Sequence, residues 1–240
     1  MKKALLLAVA IMLVVAGTAM AGVVGSKHDL STGGSKVQTN ASQVCVFCHT
    51  PHGANTAVPG LLWNRNIGTY SFSTYVNTVT DSFDGSTTIL GTPDQVTVLC
   101  FSCHDGTLSI LTLTNPPNEL GATAVAETTS FLDADGSMDN ASPAAIGADD
   151  LKNDHPVGFE YETARAADGT ENSFPVGSTG TVTGALSGNT YPLQGANLLM
   201  TCATCHGVHM GGTDSKTTGI DFMRGDTFKS EICLDCHTTK

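Results

Sequence analysis

The chain has 240 residues, with 11 Lys and Arg against 22 Asp and Glu and a formal charge of −11. Such an acidic surface disfavours nucleic acid and anionic membranes as partners. Aromatic residues make up 6% and there is one tryptophan, so side chains alone offer little apolar area for a core of this length.

The first segment, residues 1–21, reads as a secretory signal. Lys2 and Lys3 are its charged start, Ala4 to Ala16 its apolar run, and Ala19-Met20-Ala21 its cleavage site. The run is short for a membrane anchor and no stop-transfer pattern follows. The mature chain is expected to be residues 22–240, a single exported domain with no membrane span, extracellular or at the cell surface, or alternatively periplasmic. Without Lys2 and Lys3 its acidic excess is larger still.

All eight cysteines fall into four copies of Cys-x-x-Cys-His: Cys45 to His49, Cys100 to His104, Cys202 to His206 and Cys233 to His237. This spacing marks c-type haem attachment. The two thiols form thioethers to the haem vinyl groups, and the following histidine binds the iron. Four haem c groups are therefore expected, on Cys45, Cys48, Cys100, Cys103, Cys202, Cys205, Cys233 and Cys236. The proximal iron ligands are His49, His104, His206 and His237. Two four-cysteine zinc sites or a disulfide framework would leave the four histidines unexplained.

Taken in order, each motif is expected to end a short helix. Asn40-Ala41-Ser42-Gln43 reads as the cap entering the first. Thr92-Pro93-Asp94-Gln95 combines an N-cap, a proline at the first helical position and a glutamine three residues after the cap, and predicts a helix into His104. From Asp105 to Leu193 the chain is rich in Gly, Ala, Thr, Ser and Asn, with prolines at 116, 117, 143, 156, 175 and 192. It reads as loop with a few short strands, one over Gly180 to Leu186. Asn197 or a near neighbour is expected to open the third motif helix and Ser230 the fourth. The fold class is thus a multihaem c-type cytochrome, mostly irregular, with short helices at the motifs and the haems forming the core.

Four histidines remain: His28, His52, His155 and His209. Four haems need four distal ligands, so the counts match. His52 follows His49 by three residues and His209 follows His206 by three. A residue at that offset lies beside its motif histidine, and cannot reach the far face of the same iron. It is expected to bind an adjacent haem: His52 haem 2 and His209 haem 4. His28 and His155 are left for haems 1 and 3. Iron held by two histidines has no open position, which suits electron transfer rather than catalysis. Met200, Met210 and Met223 are available as ligands, but the histidine count does not require them.

Weaker signals are structural. Asp133 to Asp139 resembles a calcium loop, but Gly136 is misplaced and position twelve is Ala144, so it reads as an acidic turn. Arg224-Gly225-Asp226 reads as a turn. Asn40-Ala41-Ser42 and Asn140-Ala141-Ser142 are glycosylation sequons. Arg65 and Arg224 read equally as partners of haem propionates or as plain surface residues.

Six stretches together resemble the exported doubled-CxxCH multihaem cytochromes: Lys27 to Leu30, Cys48 to His52, Leu62 to Arg65, Cys103 to Gly106, His155 to Gly158 and Cys205 to His209. Within that group the chain is similar to the tetrahaem extracellular cytochrome-nanowire family. The resemblance covers most of residues 22–240. It implies a homopolymer with a haem stack along its axis, passing electrons to other c-type cytochromes or extracellular acceptors. It also implies that a neighbouring subunit supplies one distal histidine. On that basis His28 is expected to serve haem 3 of the next subunit, and His155 haem 1 of its own. A monomeric periplasmic tetrahaem shuttle is the alternative. A haem oxidoreductase with an open iron site is a third reading.

Overall fold

The computed structural model describes residues 22–34, 36–58, 60–68, 95–120, 126–127, 131–146, 151, 154–168, 174–178, 180–210, 222–226 and 228–238. The expected signal segment and Thr92-Pro93-Asp94 lie outside them. Regular structure is sparse. Strand β1 (Val37–Gln38) pairs antiparallel with β2 (Ala126–Glu127), and Val37 faces Glu127. Between them lie a 3-10 turn, Cys45–Phe47, and helix α1 (Gln95–His104). Strand β3 (Phe159–Glu160) leads into helix α2 (Tyr161–Asp168). A meander follows, β4 (Gly177–Ser178), β5 (Thr181–Thr183) and β6 (Thr190–Pro192), with Val182 opposite both Gly177 and Tyr191. Strand β7 (Leu199–Met200) returns to pair with β3. It runs into helix α3 (Cys202–Cys205), and helix α4 (Glu231–Leu234) follows a second 3-10 turn, Phe228–Ser230. Among the described residues no helix is long and apolar enough to cross a membrane.

The motif starts differ from the sequence expectation in three places. The first is a 3-10 turn entered from Val44 with no side-chain cap, so Asn40 does not cap it. Its Val46 carbonyl is instead taken by the Asn64 side-chain amide at 2.7 Å, which competes with helical bonding. The third opens at Thr201, whose N–H donates to Thr204 Oγ1 at 3.0 Å. Asn197 lies upstream, in a turn that closes on Leu198 at φ 52°. Ser230 does precede α4, but at φ 60° and without a side-chain bond. The expected strand over 180–186 stops at Thr183, where Gly184 N–H donates to the Asn189 carbonyl and turns the chain.

Helix α2 was not foreseen in the proline-rich middle. Its signal was local: good helix formers, and Glu162 three residues before Arg165, which meet at 2.7 Å. Glu162 also accepts the Gly177 N–H and ties the helix to β4.

The apolar core is split. One cluster holds Phe159, Tyr161, Val182, Tyr191, Leu193 and Met200, with Ile232 and Cys236 of the fourth motif region against it. The other holds Ala41, Val46 and Phe47, two of them from the first motif. Each cluster is small and leans on a cysteine motif, which agrees with the low aromatic content.

A candidate haem-binding centre

The four cysteine motifs converge. Helix α1, carrying the second, packs against α3, carrying the third. None of the eight cysteines is in a disulfide. Among the described residues, which include every cysteine and histidine, no three or more His, Cys, Asp or Glu side chains form a metal cluster. The motifs therefore do not assemble four-cysteine zinc sites. Burial pushes the Cys48 thiol up to about 12, with Cys103 and Cys45 adding to it and Arg65 opposing. Burial likewise raises Cys205 to about 11, with Cys202 and Cys233 adding to it and Arg224 opposing, and Cys236 to about 12, with Cys205, Asp235 and Cys233 adding to it. These sulfurs are held as neutral thiols close to those of another motif.

The histidines fall into facing pairs. Rings of His28 and His104 have centroids 5.9 Å apart, His49 and His209 6.1 Å, and His155 and His237 6.3 Å. A metal–nitrogen bond is about 2.0 Å, so one metal bridging two imidazoles trans to each other sets their centroids about 6 Å apart. Each pair joins one motif histidine to one non-motif histidine. Two imidazoles alone do not make a metal cluster; a haem would bring the remaining ligands with it. In each pair one ring is also held by backbone: His49 Nδ1 is 2.7 Å from the Leu61 carbonyl, His104 Nδ1 2.7 Å from Ala144, and His155 Nδ1 2.8 Å from Pro156. Such a bond makes Nδ1 the protonated nitrogen and leaves Nε2 as the ligating one. Phe222 stacks on His28, Trp63 edges onto His49 and Phe174 onto His237.

Burial lowers the His104 pKa, with its bond to Ala144 opposing. Burial lowers that of His206 too, helped by His104 and Arg224. Both favour the neutral imidazole that binds metal.

These pairs revise the sequence assignment. His28 meets His104 of its own chain, not a third-motif histidine. His209 meets His49 rather than His237, and His155 meets His237 rather than His49. The i+3 offset excluded only the iron of the same motif; it did not say which other motif folds alongside. His52 and His206 are left. His52 is exposed; His206 also reaches solvent, although the surrounding fold buries it enough to lower its pKa, with His104 and Arg224 adding to this, and neither makes a ring contact among the described residues.

The first and third motifs are also structural copies. His49 bridges antiparallel to Trp63, and His206 to Met223. The residues before these partners, Leu62 and Phe222, both have positive φ, 51° and 68°. Asn64 N–H donates to the Cys48 carbonyl and Arg224 N–H to that of Cys205, each at 2.8 Å. Their side chains then reach the same spacer carbonyl, Val46 at 2.7 Å and Ala203 at 2.9 Å. Leu62-Trp63-Asn64 and Phe222-Met223-Arg224 share no residue, so the duplication is invisible in the sequence beyond the two Cys-x-x-Cys-His-x-x-His runs.

Three further residues matter. Arg65 is wholly buried and gives its donors to backbone carbonyls: Ser102 (3.1 and 2.6 Å), Ser109 (3.0 Å) and Ile110 (2.6 Å). It is a clamp on the second motif, which corrects its expected role at a propionate. Asp235, in the spacer of the fourth motif, is also wholly buried. It accepts the N–H groups of Leu186 and Ser187 and the hydroxyls of Ser187 and Tyr191. Burial works to raise its pKa, but these bonds outweigh it and hold the carboxyl below its usual range. A carboxylate inside a Cys-x-x-Cys spacer was the signal available in the sequence. Trp63, against His49, has a buried Nε1–H with no acceptor. A carboxylate-bearing group seated at His49 would satisfy it, so the residues present fit haem.

The Asp133–Asp139 segment is a turn in which Asp135 accepts the Ser137 N–H at 2.9 Å, and no ligand cluster forms there. Arg224 folds back on the third motif, its Nη1 3.1 Å from Met210 Sδ.

Compared with known proteins, the chain matches no protein-family model and no curated sequence.

Proposed function

We propose that this protein is an electron carrier holding four haem c groups with two histidines on each iron, and that it works as the subunit of an exported filament. The observation that carries the reading is the set of three imidazole pairs at 5.9 to 6.3 Å, each joining a motif to a non-motif histidine. Haem c supplies the one-electron Fe(III)/Fe(II) couple. The chain's part is to attach, orient and enclose. The cysteine pairs anchor four macrocycle edges. Backbone carbonyls of Leu61, Ala144 and Pro156 fix the tautomer and direction of three imidazoles. Held between a motif and a non-motif histidine, each iron would offer no position to a substrate, so the protein is read as a carrier and not an enzyme.

The polymer rests on the fourth pair. The third-motif run lends His209 to His49, yet its structural copy, the first-motif run, does not return His52 to His206 in the same chain. An unreturned exchange between two copies is head-to-tail. Repeated between chains, with His52 of one subunit reaching His206 of the next, it generates an open filament. The resemblance to cytochrome nanowires points the same way, with His52 rather than His28 as the shared ligand. A monomeric periplasmic shuttle would leave His206 opposite no histidine, and that haem then has an open face.

Protein purified from the exported fraction is expected to contain four c-type haems by pyridine haemochrome assay. It should give a wholly low-spin oxidised spectrum, and show filaments by electron microscopy. Discrete particles of one subunit's mass would overturn the polymer. Fewer than four covalent haems would overturn the whole reading.

A further inference from the structure

Resting on the four-haem reading, we infer that the fourth haem is the lowest-potential site of the subunit and that Asp235 makes it so. The buried charges beside the four motifs are unequal. Arg65 donates twice to the Ser102 carbonyl, inside the second motif, and its neighbour Asn64 binds the Val46 and Cys48 carbonyls of the first. Arg224 donates to the Ala203 carbonyl, inside the third. The fourth motif has no arginine. In its spacer stands Asp235, 0% exposed, with four donors converging on its carboxylate. Lys229, on the adjoining turn, is exposed and screened by solvent.

A buried charge acts through a low local dielectric. An anion favours Fe(III) over Fe(II) and lowers the potential; a cation does the reverse. Carboxylates stand near the second motif as well. Asp105 follows His104, and Asp29 follows His28, both buried. There the wholly buried Arg65 guanidinium, bonded to the Ser102 carbonyl inside the same motif, supplies a compensating positive charge. Among the described residues the fourth site has a wholly buried carboxylate without a buried guanidinium; Arg165, on the neighbouring helix, is half-exposed and paired with Glu162 at 2.7 Å. In a chain of haems the fourth is then where an added electron resides least, so it is the high point each electron crosses in every subunit.

The test is a spectroelectrochemical titration of the full-length, four-haem protein. In Asp235→Asn the lowest of the four transitions is expected to move upward while the other three stay. Tyr191→Phe keeps the carboxylate and removes one donor that offsets it, so the same transition is expected to move further down. Opposite shifts of one and the same transition are not what a merely structural role produces. Movement of a higher transition, no movement, or loss of the fourth haem in both variants would overturn the inference. All three outcomes leave the electron-carrier reading standing, because it is judged separately from the haem count and spin state of the unsubstituted protein.

Discussion

His52→Ala is expected to abolish filaments while leaving all four haems attached. Attachment depends on the cysteines, which the substitution does not touch. The lost imidazole belongs to none of the three histidine pairs among the described residues, so those pairs survive. One iron per subunit should become high-spin, about a quarter of the haem, because it loses one of two strong axial ligands. His206→Ala removes the other half of the same junction. The two variants mixed are expected to form dimers through the one intact His52–His206 contact and to stop there, since every further junction lacks a partner. Analytical ultracentrifugation reads this directly. Filaments of His52→Ala with four low-spin haems would sink the assignment. His28→Ala is the control: its ring lies against His104 within the chain, so it should open one iron without preventing assembly.

Arg65→Ala is expected to be the most destabilising single change. It strips donors from the carbonyls of Ser102, Ser109 and Ile110, all in the clamp around the second motif. An unsatisfied buried acceptor costs about 1–3 kcal/mol, so three amount to about 3–9 kcal/mol. That is a large share of a typical stability of about 5–15 kcal/mol. Arg65→Lys keeps the charge but not the planar fork, and should recover only part of the loss. Arg165→Ala breaks a half-exposed pair with Glu162 and should cost under about 1 kcal/mol. Denaturant midpoints of the three proteins check the order. Equal midpoints for Arg65→Ala and Arg165→Ala would refute the clamp.

Arg65 also shows why part of the site was not legible. A lone arginine in an acidic chain reads as a surface or propionate-binding group. Its burial depends on Leu113, which bridges to it from a segment far along the chain. Helix α1 was legible through Gln95–His104 because helix signals in the sequence act locally, within a turn or so. The first motif was not, because Asn64, from a later loop, takes its Val46 carbonyl. Asn197 lost the third cap to Thr201 because β7 ends there and Thr204 lies at capping distance.

The sequence by itself determined which residues each proposed haem site would draw on: two thiols and an imidazole within five consecutive residues are a local arrangement that no distant contact can alter. It also determined the count, four motif histidines and four others. Only the tertiary structure decided which histidine faces which. Pairing is a non-local property, set by loops that bring His209 to His49 and His28 to His104. The same folding leaves His52 and His206 outside the three pairs, and so moves the proposed shared ligand from the N-terminal arm to the first motif run.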